Sequence, residues 1–327
     1  MQRYFFHSFP RLRAGESQSL QLAKGVKIAR SLLDNGLLLT PENFEIPITT
    51  NDGTIVDSFK ATQRRACFTE LEPKSLPEHS TMFGPFSLAY EIPDLRRLGA
   101  MPVFYIPLQN DEEYLSGLPM EVFGGVIDVS RLLGQLLAIR NQLSNSPQFG
   151  LEYREKIINF NCQDSDAIRS FINILFDCAG TDAEATDLKL RTLASCFYPT
   201  ENLRYTKPLD YYRQREWRIL GSSLLFNDQP IFHSATPKQV EQLLAIDRNY
   251  FSKQITFFDP SEGIGVEIKD SIANRSHFFR QIGSLDVIGL AQYLVLPDNV
   301  DVESTLISEY EVRGVEVVKQ SAFCGES

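Results

Sequence analysis

The stretch RACFTELEPKSLPEHSTMFGPFSLAYEIPDLRRLGAMPVFYI, residues 65–106, decides how the chain is read. Arg65 to Leu71 is short and bounded by charge, which suits a strand. Pro73 and Pro77 then open a short helix that runs through His79 and ends at Gly84. Phe86 to Tyr90 alternates like a half-buried strand, Pro93 to Leu98 is a helical turn stopped by Gly99, and Pro102 to Ile106 returns to strand. Strand, helix and strand in such short succession predict a sheet with small helices laid on it.

Working outward, Arg3 to Phe9 (RYFFHSF) is an aromatic first strand ended by Pro10. Glu16 to Leu33 has a helical period and stops near Gly36. Ile55 to Phe59 reads as a further strand, separate from Arg65 to Leu71. The middle turns helical: Ile127 to Leu143, Asp164 to Cys178 and Asp182 to Phe197 carry apolar stripes. Arg215 to Leu220 returns to strand. Thr236 and Pro237 form a helix start signal for 237–247. Ala291 to Leu296, Val302 to Tyr310 and Val315 to Lys319 predict a β-α-β ending. The expected class is α+β, with a strand-rich part over 1–125, a helical insertion over 126–204, and a C-terminal part over 205–327 that completes the sheet-centred domain.

With 327 residues, 43% of them hydrophobic and 23% charged, the chain can bury a core of ordinary size. The net charge of −10 argues against a nucleic-acid protein of the basic type and leaves only a local basic site open. Residues 1–70 hold 9 Lys/Arg against 7 Asp/Glu, while residues 298–327 hold 2 against 7, so a phosphate-bearing partner belongs nearer the N-terminal half. Five widely spaced cysteines without a CxxC pair, and four histidines without i, i+4 spacing, predict reduced thiols and no structural metal. There is no signal-peptide pattern, and no run reaches the length of about eighteen apolar residues that spans a bilayer. A cytoplasmic location is expected. A P-loop motif is absent, and Gly263-Ile-Gly265 lacks the remainder of a dinucleotide fingerprint. Cys67, with His79 as a base, could be a nucleophile, but a strand cysteine reads first as core.

The most suggestive short segment is REWR, residues 215–218. On a strand, Arg215 and Trp217 share one face while Glu216 and Arg218 share the other, roughly 7 Å apart. Two readings follow. Glu216 and Arg218 form a structural pair, with Trp217 as a core anchor; or they face a ligand together with Tyr211 and Tyr212. A carboxylate so placed suits glycosyl transfer, where it stabilises an oxocarbenium-like transition state. His79, near the end of its helix, is expected to be favoured in its charged form by the helix dipole.

Cys67–Pro107 and YYRQREWRI, residues 211–219, resemble the AbiGi-type abortive phage-resistance family, whose members are often described as the antitoxin half of a defence pair. That resemblance implies a protein that neutralises or senses a toxin or other defence partner. A looser likeness, in the order of elements only, is to ADP-ribosyltransferase-type folds. It implies Arg3 or His7 on the first strand, Thr69 on the second and Glu216 on a late strand as site residues. In the enzyme reading His7, Thr69 and Glu216 are catalytic. Arg3, His79, Tyr211 and Arg218 then bind a ligand such as NAD or another nucleotide. The cysteine-phenylalanine-threonine triplet departs from the serine-rich strand of those enzymes. If His7, Thr69, His79 and Glu216 converge in one pocket an enzyme is expected; if they disperse, a binding protein.

Overall fold

Alternation along Tyr4–Phe9 (β1) sends Tyr4 and Phe6 to one face of a sheet and Phe5 and Phe9 to the other, and two separate apolar clusters take them up. The computed structural model describes residues 2–11, 15–49, 55–106, 118–145, 148–153, 156–161, 165–178, 186, 190, 193–194, 196–199, 215–221, 225–226, 229–258 and 267–325. After β1 come α1 (Gln18–Asn35), β2 (Leu37–Thr49), β3 (Ile55–Leu71), α2 (Leu76–Phe83), β4 (Phe86–Glu91), α3 (Ile92–Arg97), β5 (Met101–Pro102) and β6 (Phe104–Ile106). The middle holds α4 (Leu118–Asn145), β7 (Gln148–Tyr153), β8 (Lys156–Asn161), α5 (Ser165–Cys178) and β9 (Phe197–Pro199). Then follow β10 (Glu216–Leu220), β11 (Leu225–Phe226), β12 (Gln229–Pro230), β13 (His233–Ser234), α6 (Pro237–Phe251), β14 (Gln254–Phe258) and β15 (Glu267–Ser271). The chain closes with α7 (Ile272–Arg275), β16 (His277–Phe279), β17 (Gln281–Ile282), β18 (Leu285–Asp286), β19 (Ala291–Leu296), α8 (Ser304–Val312), β20 (Glu316–Lys319) and α9 (Gln320–Cys324).

The architecture is α+β. Among the described residues, ten strands make one open sheet in the order β13-β16-β2-β3-β1-β4-β19-β20, with β10 on β3 and β5 on β10. Only β19–β20 is parallel within it, joined through α8 as the expected β-α-β ending. Strand β3 organises the sheet. Arg65 is paired with both Thr40 and Leu220, and Thr69 with both Phe6 and Glu216. Strand β10 therefore lies along one edge of β3, while β2 and β1 follow each other along the opposite edge. The segment Arg215–Leu220 thus joins the sheet that contains CFTEL.

One face packs on α1 and α8 through Ala29, Leu32, Leu33, Leu306 and Tyr310, all buried with Phe5, Ala66, Phe68, Leu88 and Ile219. Each leucine, isoleucine and phenylalanine among them contributes roughly 1.5–3 kcal/mol of transfer free energy. Ser17 caps α1 by accepting from the Leu20 N–H at 3.3 Å. The helix stops at Gly36, whose φ of +87° and whose approach to the Phe279 carbonyl, 2.4 Å from where a Cβ would stand, admit only glycine. The opposite face carries a smaller cluster of Tyr4, Phe6, Leu76, Ala89 and Val295 beneath α2 and α9.

Several expectations are corrected. Ile55–Phe59 and Arg65–Leu71 are not two strands but one strand of 17 residues, because residues 60–64 continue the pairing against β2. Strand β2 was hidden by Pro41 and Pro47. They fall on the same edge, six residues apart, and β2 has no neighbour there beyond Leu39 among the described residues. Pro102–Ile106 is broken at Val103: the Val103 N–H donates to Glu216 O at 2.9 Å, and Phe104–Ile106 leaves to pair in parallel with β9. Phe197 therefore lies in a strand rather than at a helix end. The middle segment, expected to be helical, also holds the β7–β8 hairpin between α4 and α5. No described helix is long and apolar enough to cross a membrane.

Candidate functional site

Alternation along β3 divides its side chains. Ala66 and Phe68 join the large core, whereas Gln63, Arg65, Cys67 and Thr69 stand on the other face. Antiparallel pairing sets Glu216 opposite Thr69 and Arg218 opposite Cys67, so all six share that face. Trp217, between them, turns to the core and packs 5.0 Å from the Phe5 ring. The entry to β10 is tightly held. Arg215 has a φ of +41°, a conformation that costs a non-glycine residue about 1 kcal/mol or more. Its carbonyl accepts from the Glu70 N–H at 3.4 Å, and its guanidinium pairs with Glu70 at 3.3 Å.

Both oxygens of Glu216 are engaged. Oε1 accepts from Arg218 Nε at 2.8 Å and Oε2 from the Tyr105 hydroxyl at 3.2 Å, with the Cys67 thiol as a further donor. Arg218 is 2% exposed. Burial raises the pKa of Glu216, but the charge of Arg218, its hydrogen bond, the charge of Arg65 and the Cys67 thiol outweigh it, so the carboxyl lies below its usual range. A second carboxylate extends the cluster: Glu42 bonds Arg65 and pairs with Arg11 at 3.1 Å. Burial opposes its ionisation as well, and Arg65, Arg11 and Arg218 overcome it. Gln63 Oε1 accepts from Arg65 at 3.5 Å, while its amide nitrogen is buried with no partner.

The neighbouring acids stay protonated. Burial, with Glu216 second, pushes the Cys67 thiol up to about 12 and raises the Tyr105 phenol. Cys67 is therefore a neutral donor in a strand, not a thiolate nucleophile. The cluster can hold negative charge on two carboxylates among three arginines, with Glu216 bonded to Arg218 and Glu42 to Arg65.

The other candidate residues are divided between both faces. His7 pairs with Leu88, a member of the large core, and so lies on the face opposite Thr69 and Glu216. Its ring packs 5.3 Å from that of Phe68 and its Nδ1 bonds the Cys67 carbonyl at 2.9 Å. Burial lowers its pKa, with the Cys67 bond opposing. Arg3 pairs with Glu70 at 3.1 Å and Glu72 at 3.5 Å, and contacts no member of the Glu216 cluster. His79 is buried in α2 and stacked on Phe83 at 4.4 Å. The expectation that the helix dipole favours its charged form is wrong: burial lowers its pKa to about 4, and the ring is neutral near pH 7. Tyr211 and Tyr212 lie outside the described residues. Thr69, Glu216 and Arg218 are thus brought together; His7, Arg3 and His79 are not.

Sequence reasoning missed Glu42, Arg11, Arg65 and Tyr105. Polar residues at 63, 65, 67 and 69 against apolar 66 and 68 were the available signal for Arg65. Glu42 was hidden because β2 was, and nothing in the local sequence marks Tyr105.

Fold and site together define an α+β protein with an open sheet and a buried carboxylate–arginine cluster on one face. Beyond that class, the chain matches no family model, no curated protein and no solved structure.

Proposed function

We propose that the chain is a binding component of a phage-defence pair, one that neutralises or senses a toxin or other defence partner, rather than a catalyst. The defence setting rests on the resemblance of residues 67–107 and 211–219 to the AbiGi-type family. The preference for binding rests on one observation: Glu216 spends both carboxylate oxygens on Arg218 and Tyr105, with His7 on the other face of the sheet. A carboxylate used in glycosyl transfer must instead face the substrate. A second reading, ADP-ribosyl or glycosyl transfer from NAD or a nucleotide, draws support from Thr69 standing opposite Glu216 on the same face.

Co-expression with the product of the neighbouring gene separates the two. Binding predicts a stable complex on gel filtration and relief of growth arrest, both retained when Glu216 is changed together with Arg218. If the purified chain consumes NAD, and Glu216→Gln abolishes that consumption while the protein still folds, the binding reading fails.

A further inference from the structure

Away from the Glu216 cluster, strands β1, β19 and β20 and helix α9 enclose a cleft of about 530 Å³ at the far end of the same face. Its floor is aromatic. Tyr4 and Tyr293 meet nearly at right angles, with ring centres 5.7 Å apart, and Phe323 closes the third side at 5.8 Å and 5.1 Å from them. The hydroxyls of Tyr4 and Tyr293 bond each other. Hydrogen bonds at both ends of α9 hold this arrangement. Asp298 accepts from the Ser321 N–H at 3.1 Å and from its hydroxyl at 2.7 Å, and the Cys324 thiol donates to the Pro73 carbonyl at 3.1 Å. The short helix that carries Phe323 is thereby pinned at both ends.

The rim is charged. Glu72 is taken up by Lys74 at 2.9 Å and Arg3 at 3.5 Å. Glu91, behind Tyr4, accepts from the Gln2 amide at 3.3 Å. Glu316 stands beside Tyr293 in the parallel register of β19 and β20 and makes no ion pair among the described residues. The cleft is thus lined by aromatic rings, whose faces carry negative electrostatic potential, and by a carboxylate, Glu316, that no ion pair engages among the described residues. An anion is repelled there. A neutral apolar group would desolvate Glu316 without replacing its water. A calcium or magnesium ion would need several more oxygen ligands than this rim supplies.

We infer that this cleft binds an organic cation, an alkylated or quaternary ammonium group that is either free or borne on a lysine side chain. The inference is independent of the defence reading, because it uses neither the resemblance nor the Glu216 cluster.

Ligand-observed NMR and calorimetric titration with choline test it, alongside 3,3-dimethylbutan-1-ol, which has the same shape without the charge. Choline should bind about tenfold or more tightly than the alcohol, and Glu316→Gln should weaken choline by about fivefold. Glu316 is exposed, so that variant leaves the fold intact. Tyr293→Leu should weaken choline as well. Nα-acetyl-Nε-trimethyl-lysine methylamide, which carries the same head group as choline, distinguishes the sources: tighter binding than choline assigns a lysine side chain, and weaker binding a free ammonium compound. The inference is overturned if neither cation binds at millimolar concentration, if the alcohol binds as well as choline, or if Glu316→Gln leaves choline affinity unchanged.

Discussion

Strands β3 and β10 present two surfaces held together by different means. Toward α1 and α8 the pair offers Ala66, Phe68, Trp217 and Ile219 to a cluster in which no bond has a direction. Toward β6 it offers Arg65, Cys67, Thr69, Glu216 and Arg218, where each charged group depends on a particular partner. Hydrophobic transfer scales with buried area and tolerates exchange among side chains of similar volume. A buried ion pair is less forgiving: removing one member strands the other in a medium that solvates it poorly, whereas removing both can be nearly neutral. The apolar face therefore stabilises the sheet through volume, and the polar face through pairing.

The largest effects should expose that contrast. Phe68→Ala should cost roughly 3–5 kcal/mol, the usual loss for a buried aromatic side chain. Glu216→Gln should cost a similar amount, roughly 3–5 kcal/mol, because the buried Arg218 loses the charge of the carboxylate that accepts from its Nε. Only the second loss should be reversible: adding Arg218→Met to Glu216→Gln should recover most of it in urea denaturation. A double variant no more stable than Glu216→Gln would show that the two are not energetically coupled, and the comparison would collapse.

The next effect is on pH dependence and concerns α2, which packs over the apolar cluster of Tyr4, Phe6 and Ala89. His79 falls from an ordinary 6.5 to about 4 on folding, so the unfolded chain binds its proton first. The stability it contributes is complete above pH 6.5 and drains away as pH falls toward about 4, a loss of about 3 kcal/mol. His277, also lowered to about 4 by burial first and by Arg64 and His233 next, acts in the same direction. His79→Gln should therefore flatten, without abolishing, the fall in stability between about pH 7 and about pH 4.5. An unchanged slope would mean that His79 is hydrated and that α2 does not seal this face.

The smallest effect lies at the margin of the cluster. Arg11 is 58% exposed in its side chain, and Arg65 already holds Glu42. Arg11→Ala should cost less than about 1 kcal/mol, and less still in high salt. A loss comparable with that of Glu216→Gln would extend the partner-dependent region out to the solvent.

Local pattern was enough to determine the α+β class, the first strand, the helix that ends at Gly36, the short helix before Gly84, the capped start at Thr236 and the β-α-β ending. In each case period, cap or stop lies within a few neighbouring residues. It also placed Glu216 and Arg218 on one face, since strand alternation is local. What bears on their two readings is tertiary. Tyr105 comes from a strand that departs from β5, and Glu42 from a proline-bearing strand. Arg65 was visible in the alternation of β3, but its neighbours were not. His7 was placed with Glu216 by order along the chain, yet register across β1, β3 and β4 puts it on the opposite face: a shift of one residue inverts a strand's faces, and only pairing sets it. The protonation of His79 went the same way. A helix dipole is legible in sequence, whereas burial, which outweighs it here, exists only once the chain has folded.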